Sequence, residues 1–378
     1  MDRIDDRHEM LYLSAEDVRA LEPPMRDVVA AVEEAFRIKG AGEVAMPPKV
    51  TLQGGGGSFA QVMPAWVGGE GAAGGLLGLK FVTVMPQNPA RGLPATNALI
   101  VLDDPLTGLP RAVLDGGRIT GLRTGAGVGV AARHLAAADV SCVGVLGCGV
   151  QARNAVRALA VVLPGLARVR CHDAVPAAAA AFAVEMPDLV AADQLPVTGE
   201  LPAAGEPPVT VELPVAAGEL PAAGERHPEG PDPAGGLTVE VCERPQDVGA
   251  GAGVVLTGIT MGDAQPPLGP DLLEPGALAV ALDYDAAWSP AAMAACDRLV
   301  TDDIAQTLAT KAHGPRLGGI PDLDADLGDI VAGRAAGRSD AHQRIFCLSL
   351  GIAVQDIVCA GVVYERAVAH GVGRRLPL

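Results

Sequence analysis

"VSCVGVLGCGVQARNAVRAL", Val140–Leu159, is the stretch on which the fold turns. Through Leu146 it is apolar without alternation, the pattern of a parallel strand buried on both faces. Gly147-Cys148-Gly149-Val150-Gln151-Ala152 follows, and "NAVRALAVVLPG" then carries helical spacing to a stop at Pro164-Gly165. Strand, glycine turn and helix in that order make a dinucleotide cradle. Gly147 permits the tight turn, Gly149 lets the backbone approach a pyrophosphate, and Ala152 is small enough for close helix–strand contact. The helix N-terminus favours the negative charge. Asp173 ends the next strand-like run, "ARVRCHD". An acid there accepts from a ribose 2′-hydroxyl and repels a 2′-phosphate, so NAD is expected over NADP.

Downstream the alternation continues. "AVPAAAAAFAVEM" is Ala-rich and helical, and "TVEVCE", "AGVVLTGIT", "GALAVALDYD" and "DRLVTDD" are strand-like. This predicts an α/β domain over residues 126–325, a Rossmann-type doubly wound parallel sheet with right-handed crossovers. One stretch breaks the pattern. "LPVTGELPAAGEPPVTVELPVAAGELPAAGE", Leu195–Glu225, repeats short Leu-Pro and Gly-Glu units. Proline removes ladder donors and the acids repel one another, so residues 194–236 read as a flexible Pro/Glu-rich insertion. An acidic partner-binding arm is the functional alternative.

The residues upstream read differently. "EDVRALEPPMRDVVAAVEEAFRIKGAGE" is helical, and "PPKVTLQ", "SFAQVMPAWV", "LLGLKFVTVM", "TNALIVLDD" and "PRAVLDGG" are closely spaced strands. They predict a second, α+β domain with an antiparallel or mixed sheet. "TGLRTGAGVGVAARHLA" is a helix leading into the cofactor strand. The segment "SLGIAVQDIVCAGVVYERAVAHGVG" reads as one long amphipathic helix packing back on the first domain. The expected division is residues 1–125 with 326–378 for substrate and dimerisation, and 126–325 for the dinucleotide.

Composition bounds the function. The 378 residues are 49% hydrophobic and only 3% aromatic, so the core rests on Ala, Val, Leu and Ile. A net charge of −17 excludes nucleic acid, which requires basic patches. No run is long and apolar enough for a membrane span, and "MDRIDDRHEM" lacks the apolar region of a secretory signal. Seven scattered cysteines with no CxxC suit a reducing cytoplasm better than a disulfide framework, and no Cys/His spacing suggests a metal.

Two residues of the first domain point to chemistry. Lys80 sits inside the apolar "LLGLKFVTV", where burial would lower its pKa towards that of a usable base. Arg123, in "LRTGA", is a fork for a carboxylate. Lys80 with Asn88-Pro89 and Gly92-Leu93-Pro94, the Leu114-Asp115-Gly116 to Leu122–Ala126 segment, and the Gly147–Ala152 turn together resemble the ornithine cyclodeaminase/μ-crystallin family. The likeness runs from about Leu13 to Ala160 and from about Val254 to Gly373. That family includes cyclodeaminases, archaeal-type alanine dehydrogenases and ketimine reductases. The resemblance implies a homodimer, Lys80 as the catalytic lysine and Arg123 as the carboxylate arginine. Lys49 matches a position where alanine dehydrogenases carry lysine, and is expected at the substrate.

Two departures bear on the substrate. Gln61 stands where ornithine cyclodeaminase carries the glutamate that receives the side-chain amine. A neutral amide offers no ion pair to a cationic substrate. The family's late acid/base aspartate falls by spacing on Asp285, with Asp283 as the alternative, and the "GKxEL" tail that should follow is absent. "FCLSLGIAVQDIVCA" resembles the segment that lies over the nicotinamide, with Ser349 and Gly351 matching. The expected cofactor contacts are Gly147, Gly149, Val150, Gln151, Ala152, Asp173, Thr124, Ser349 and Gly351. The function implied is an NAD-dependent oxidoreductase acting at Cα of a small amino or imino acid. The alternatives are a cyclodeaminase with catalytic NAD⁺ and a non-catalytic crystallin-like binding protein.

Overall fold

The computed structural model describes residues 8–68, 75–194, 236–260, 267–313 and 316–378. The segment expected as an insertion over 194–236 lies, but for its two end residues, outside them. The described residues fall into two compact units, one of residues 8–123 and 352–378, the other of residues 124–351.

The first unit opens with strands β1 (Glu9–Leu13), β2 (Val44–Ala45), β3 (Val50–Gln53), β4 (Phe59–Val67), β5 (Leu76–Val84), β6 (Thr96–Asp103) and β7 (Pro110–Asp115). The second holds β8 (Cys142–Leu146), β9 (Arg168–His172), β10 (Thr238–Val241), β11 (Val254–Thr257), β12 (Leu278–Ala281), β13 (Arg298–Thr301), β14 (Ala325–Asp326) and β15 (Ile345–Leu348). β16 (Arg374–Pro377) returns to the first. The helices are α1 (Ala15–Ala20), α2 (Met25–Gly40), α3 (Gly117–Leu135), α4 (Val150–Val162), α5 (Pro176–Gln194), α6 (Pro290–Ala294), α7 (Ile304–His313), α8 (Leu327–Val331) and α9 (Ala353–His370).

In the first unit the sheet order is β16-β1-β7-β6-β5-β4-β2, with β3 also on β4. All pairings are antiparallel except β1 with β7, so the sheet is mixed. The strand period of two sorts its faces. Gln61, Met63, Ala65 and Val67 of β4 lie on one buried face with Leu76, Gly78, Lys80 and Val82 of β5 and Ala98, Ile100 and Leu102 of β6. α9 packs over β4, β5 and β6 and against α2. Gly78 makes this possible, because a Cβ there would lie 2.3 Å from the Val101 carbonyl oxygen and 3.1 Å from an Ile357 methyl of α9. Of these eleven residues Lys80 alone is charged.

In the second unit eight strands run parallel in the order β10-β9-β8-β11-β12-β15-β13-β14. This is the expected doubly wound sheet. β8 lies between β9 and β11, so the chain reverses its direction of winding beside the glycine turn. Ligands bind in such open sheets at that switch point, beyond the carboxyl ends of the strands. β8, β11, β12 and β15 are buried along their whole length, as their unalternating sequences require.

The C-terminal third corrects two expectations. Residues 326–351 belong to the second unit, not the first, because β15 inserts between β12 and β13. The long helix expected from Ser349 begins only at Ala353, since Gly351 takes φ +79, a conformation outside any right-handed helix. β1, β14 and β16 are too short, or too charged, to stand out in sequence. β16 reads "RRLP" and is exposed throughout, held by pairing with β1.

Candidate active site

Within the first unit, β5 carries Lys80 under α9, and 1% of its surface is exposed. Its Nζ donates to Asp356 Oδ1 at 2.7 Å, from the first turn of α9. Arg123, buried on α3, sets Nε 2.9 Å from the same oxygen. It also donates through a terminal nitrogen to Gln355 Oε1 at 3.1 Å. A buried charge is retained only when paired, and the two cations share one anion. Burial chiefly, and then the Arg123 charge, bring Lys80 down to about 7 against the pull of Asp356. At neutral pH this amine is divided between its two protonation states, the condition for moving protons. The Arg123 guanidinium, engaged along one edge, keeps further N–H groups for a carboxylate.

Lys49 lies half-buried just ahead of β3, and its charge also lowers Lys80. Gln61, on β4 two residues from Met63, which pairs with Lys80, donates through Nε2 to Thr51 Oγ1 at 3.2 Å. Of the five residues expected at the substrate or its chemistry, Lys49, Gln61, Lys80 and Arg123 belong to the first unit and are linked through one sheet face and its neighbouring charges, whereas Asp285 belongs to the second.

In the second unit the glycine turn has the form the motif requires. Gly147 takes φ +92, and a Cβ there would lie 2.6 Å from the Gly258 carbonyl oxygen. Gly149 caps α4 with an extended backbone, and a Cβ there would meet no atom within 4 Å. Packing therefore demands glycine at the first position but not at the second, whose bareness suits close approach by a ligand. Val150 beside it is 66% exposed, whereas Ala152 is buried against the sheet. A cleft of about 520 Å³ opens there, lined by Gly147, Gly149, Asp173, Val175, Ile259 and Pro267 among others. Its donor set fits a dinucleotide: a bare turn, the open N-terminus of a 13-residue helix, and an acid at the end of β9. Asp173 is held in place by the Cys148 N–H at 2.7 Å and the Val175 N–H at 2.8 Å. Gln151 Oε1 is buried and finds no hydrogen-bond partner among the described residues.

Asp283 and Asp285 follow β12 but face different surroundings, because Tyr284 between them takes φ +61. Asp283 is buried, accepting from Thr257 Oγ1 and Ile259 N–H, each at 3.0 Å, and burial pushes its carboxyl up to about 6. Trp288 Nε1 donates to Thr257, so this acid ties the end of β11 to the chain after β12. Asp285 accepts from Leu317 N–H at 2.8 Å and lies 3.5 Å from Arg316. Ser349 is buried beyond β15. Gly351 donates its N–H to Asp302 at 2.6 Å and accepts from Gln306 at 3.0 Å, a fixed turn. Thr124 is buried on α3.

Asp356 and Gln355 carry no role in the sequence reading, although both stand in the quoted "FCLSLGIAVQDIVCA". The signal was there: a carboxylate among the apolar residues that open a helix must be buried against something cationic. Its partners lie far off in sequence.

A family model described as the ornithine cyclodeaminase/mu-crystallin family matches residues 8–194 and 232–371. The chain is 29% identical over 379 residues to alanine dehydrogenase of Archaeoglobus fulgidus, covering 97% of this chain and 98% of that protein. Among solved structures, Delta(1)-pyrroline-2-carboxylate reductase of Thermococcus litoralis in complex with NADH and L-proline superposes with a TM-score of 0.76 at 25% identity, over 97% of this chain and all of the other. An archaeal alanine dehydrogenase dimer with bound NAD gives 0.72 at 28% identity, over 98% and 99%.

Proposed function

Because the chain belongs to the ornithine cyclodeaminase/mu-crystallin family, we propose that it is an NAD-dependent oxidoreductase acting at Cα of a small amino or imino acid. The observation that carries this reading is the buried Lys80 beside Arg123, a proton carrier next to a carboxylate fork. Relatives named as alanine dehydrogenase and pyrroline-2-carboxylate reductase, and solved structures of like-named proteins with NAD and NADH, support the cofactor and the substrate class. Gly147, Gly149, Val150, Gln151 and Ala152 would hold the pyrophosphate, and Asp173 the adenosine ribose. Thr124, Ser349 and Gly351 are assigned weaker contacts with the cofactor. When bound, the nicotinamide ring accepts or returns a hydride at Cα.

The chain's own groups do the rest. Arg123, with Lys49, holds the carboxylate so that Cα has one orientation. Lys80 takes the proton from the amine in the oxidative direction and returns it in the reductive one, which its position near neutrality allows. Asp285 is assigned the second acid/base role, with Asp283 as the alternative. Gln61, uncharged and bonded to Thr51, favours a substrate without a cationic side chain.

Two further assignments belong to this reading. The outer face of the first sheet exposes Tyr12, Trp66, Phe81 and Leu99, apolar residues from four strands on one face, which supports a homodimer. All seven cysteines are free thiols, six of them buried, which supports a cytoplasmic location. Among the described residues no helix is long and apolar enough to cross a membrane.

The test is a screen of small amino acids with NAD⁺, and of 2-oxo acids plus ammonia or an amine and cyclic imino acids with NADH. Net change in the reduced-nicotinamide absorbance is the expected result. Ammonia release with catalytic NAD⁺ and no net absorbance change would replace this reading by the cyclodeaminase. Neither signal with any substrate would leave the non-catalytic binding protein.

A further inference from the structure

Three buried polar atoms of the cluster around Lys80 have no hydrogen-bond partner among the described residues: Arg123 Nε, which is still 2.9 Å from Asp356 Oδ1, Gln355 Nε2 and Asp356 Oδ2. Gln355 is 1% exposed and Asp356 fully buried. The Gln355 carbonyl oxygen accepts from Arg123, but its Nε2 has no acceptor among the described residues. Asp356 Oδ1 serves both Lys80 and Arg123, while its Oδ2 has no donor among them. Buried polar groups are nearly always paired, so an unpaired donor and an unpaired acceptor on consecutive residues call for a cause. Together they match an amino acid: its carboxylate accepts, and its nitrogen donates.

We propose that Gln355 and Asp356 complete the amino-acid site, Gln355 Nε2 donating to the substrate carboxylate beside Arg123, and Asp356 holding Arg123 and Lys80 in place while its Oδ2 accepts from the substrate nitrogen. This rests on the oxidoreductase reading above. The helix start supports it. α9 packs over β4, β5 and β6 of the same unit, and its first turn meets Lys80 through Asp356. Both side chains leave that turn. Lys80 is faced by Asp356 from α9, by Arg123 from α3 and by Lys49 from the segment before β3. Removing the one anion leaves two cations acting on it, so its charged form is disfavoured further.

The experiment compares wild type with Gln355→Ala, Asp356→Asn and Asp356→Glu, using the best substrate of the screen and melting curves to establish folding. Gln355→Ala is expected to raise KM for the amino acid about tenfold with kcat held within about threefold, the loss of one hydrogen bond to a charged group. Asp356→Asn is expected to lower kcat and to move the limb of the pH profile set by Lys80 to lower pH. Asp356→Glu, which keeps the charge, is expected to keep that limb in place and to recover part of kcat. Should Asp356→Asn not fold, the KM effect of Gln355→Ala and the partial kcat of Asp356→Glu decide the matter. An unmoved KM in Gln355→Ala, or an unmoved limb in a folded Asp356→Asn, overturns the proposal while wild-type turnover leaves the oxidoreductase reading standing. A wild type that turns over no amino or imino acid overturns both.

Discussion

Lys80 was legible as an anomaly: a single cation in nine residues that otherwise belong to a core strand. What sequence could not supply was the partnership of Asp356, because a carboxylate in the apolar start of α9 announces only that it needs a partner. The pair makes a prediction about stability. Burial lowers Lys80 in the folded state to about 7, well below its unfolded value. The unfolded chain therefore binds the extra proton between those two pKa values, and stability contributed at this site rises with pH across that window. The cost is fully present below about pH 7 and fades as pH approaches the unfolded value. Lys80→Met removes this dependence. The melting temperature of the variant relative to wild type should thus be highest at or below pH 7 and decline as pH rises towards 10. A flat difference would contradict the depressed lysine. The same variant should lose about 10²–10⁴-fold in kcat, the usual worth of a positioned acid/base.

The glycine turn shows how one element divides its tasks. The sequence reads both glycines as a cradle, and the structure gives them different surroundings. Gly147 is required by backbone conformation and by the Gly258 carbonyl, whereas Gly149 has open space where a side chain would be. Gly147→Ala should therefore cost at least about 2 kcal/mol of stability, from the left-handed backbone and the close carbonyl. Gly149→Ala should cost about 1 kcal/mol or less, the difference between glycine and alanine at a helix N-cap, yet weaken NADH binding clearly. Urea denaturation and calorimetric titration with NADH separate the two effects. Equal behaviour of the two variants would argue against a ligand at Gly149. The same scale explains the misplaced start of α9. Hydrophobic spacing runs continuously through β15, the Gly351 turn and the helix, and a buried strand and a buried helix look alike over four residues.

At the scale of the molecule, the exposed face of the first sheet is the feature that a single strand does not announce. Tyr12, Trp66, Phe81 and Leu99 come from four strands, and alternation places them together only once the register is known. The homodimer proposed for this face should sediment as a dimer in the wild type and as a monomer once Phe81→Glu is combined with Leu99→Glu, each chain still melting cooperatively. A dimer unaffected by both charges would place its contact elsewhere. What the sequence determined by itself was the local grammar: the parallel strands of the second unit, the glycine turn after β8, the helices of the first unit, and the identity of Lys80 and Arg123 as unusual residues. These follow from period, turn chemistry and the cost of burying charge, all of which act over a few residues. Only the tertiary structure decided that β15 enters the second sheet, that α9 lies across β4, β5 and β6, and that Asp356 meets Lys80 and Arg123. Those are contacts between segments far apart in the chain, and they depend on which buried face finds which partner. One sequence states the need for such a partner but not its address.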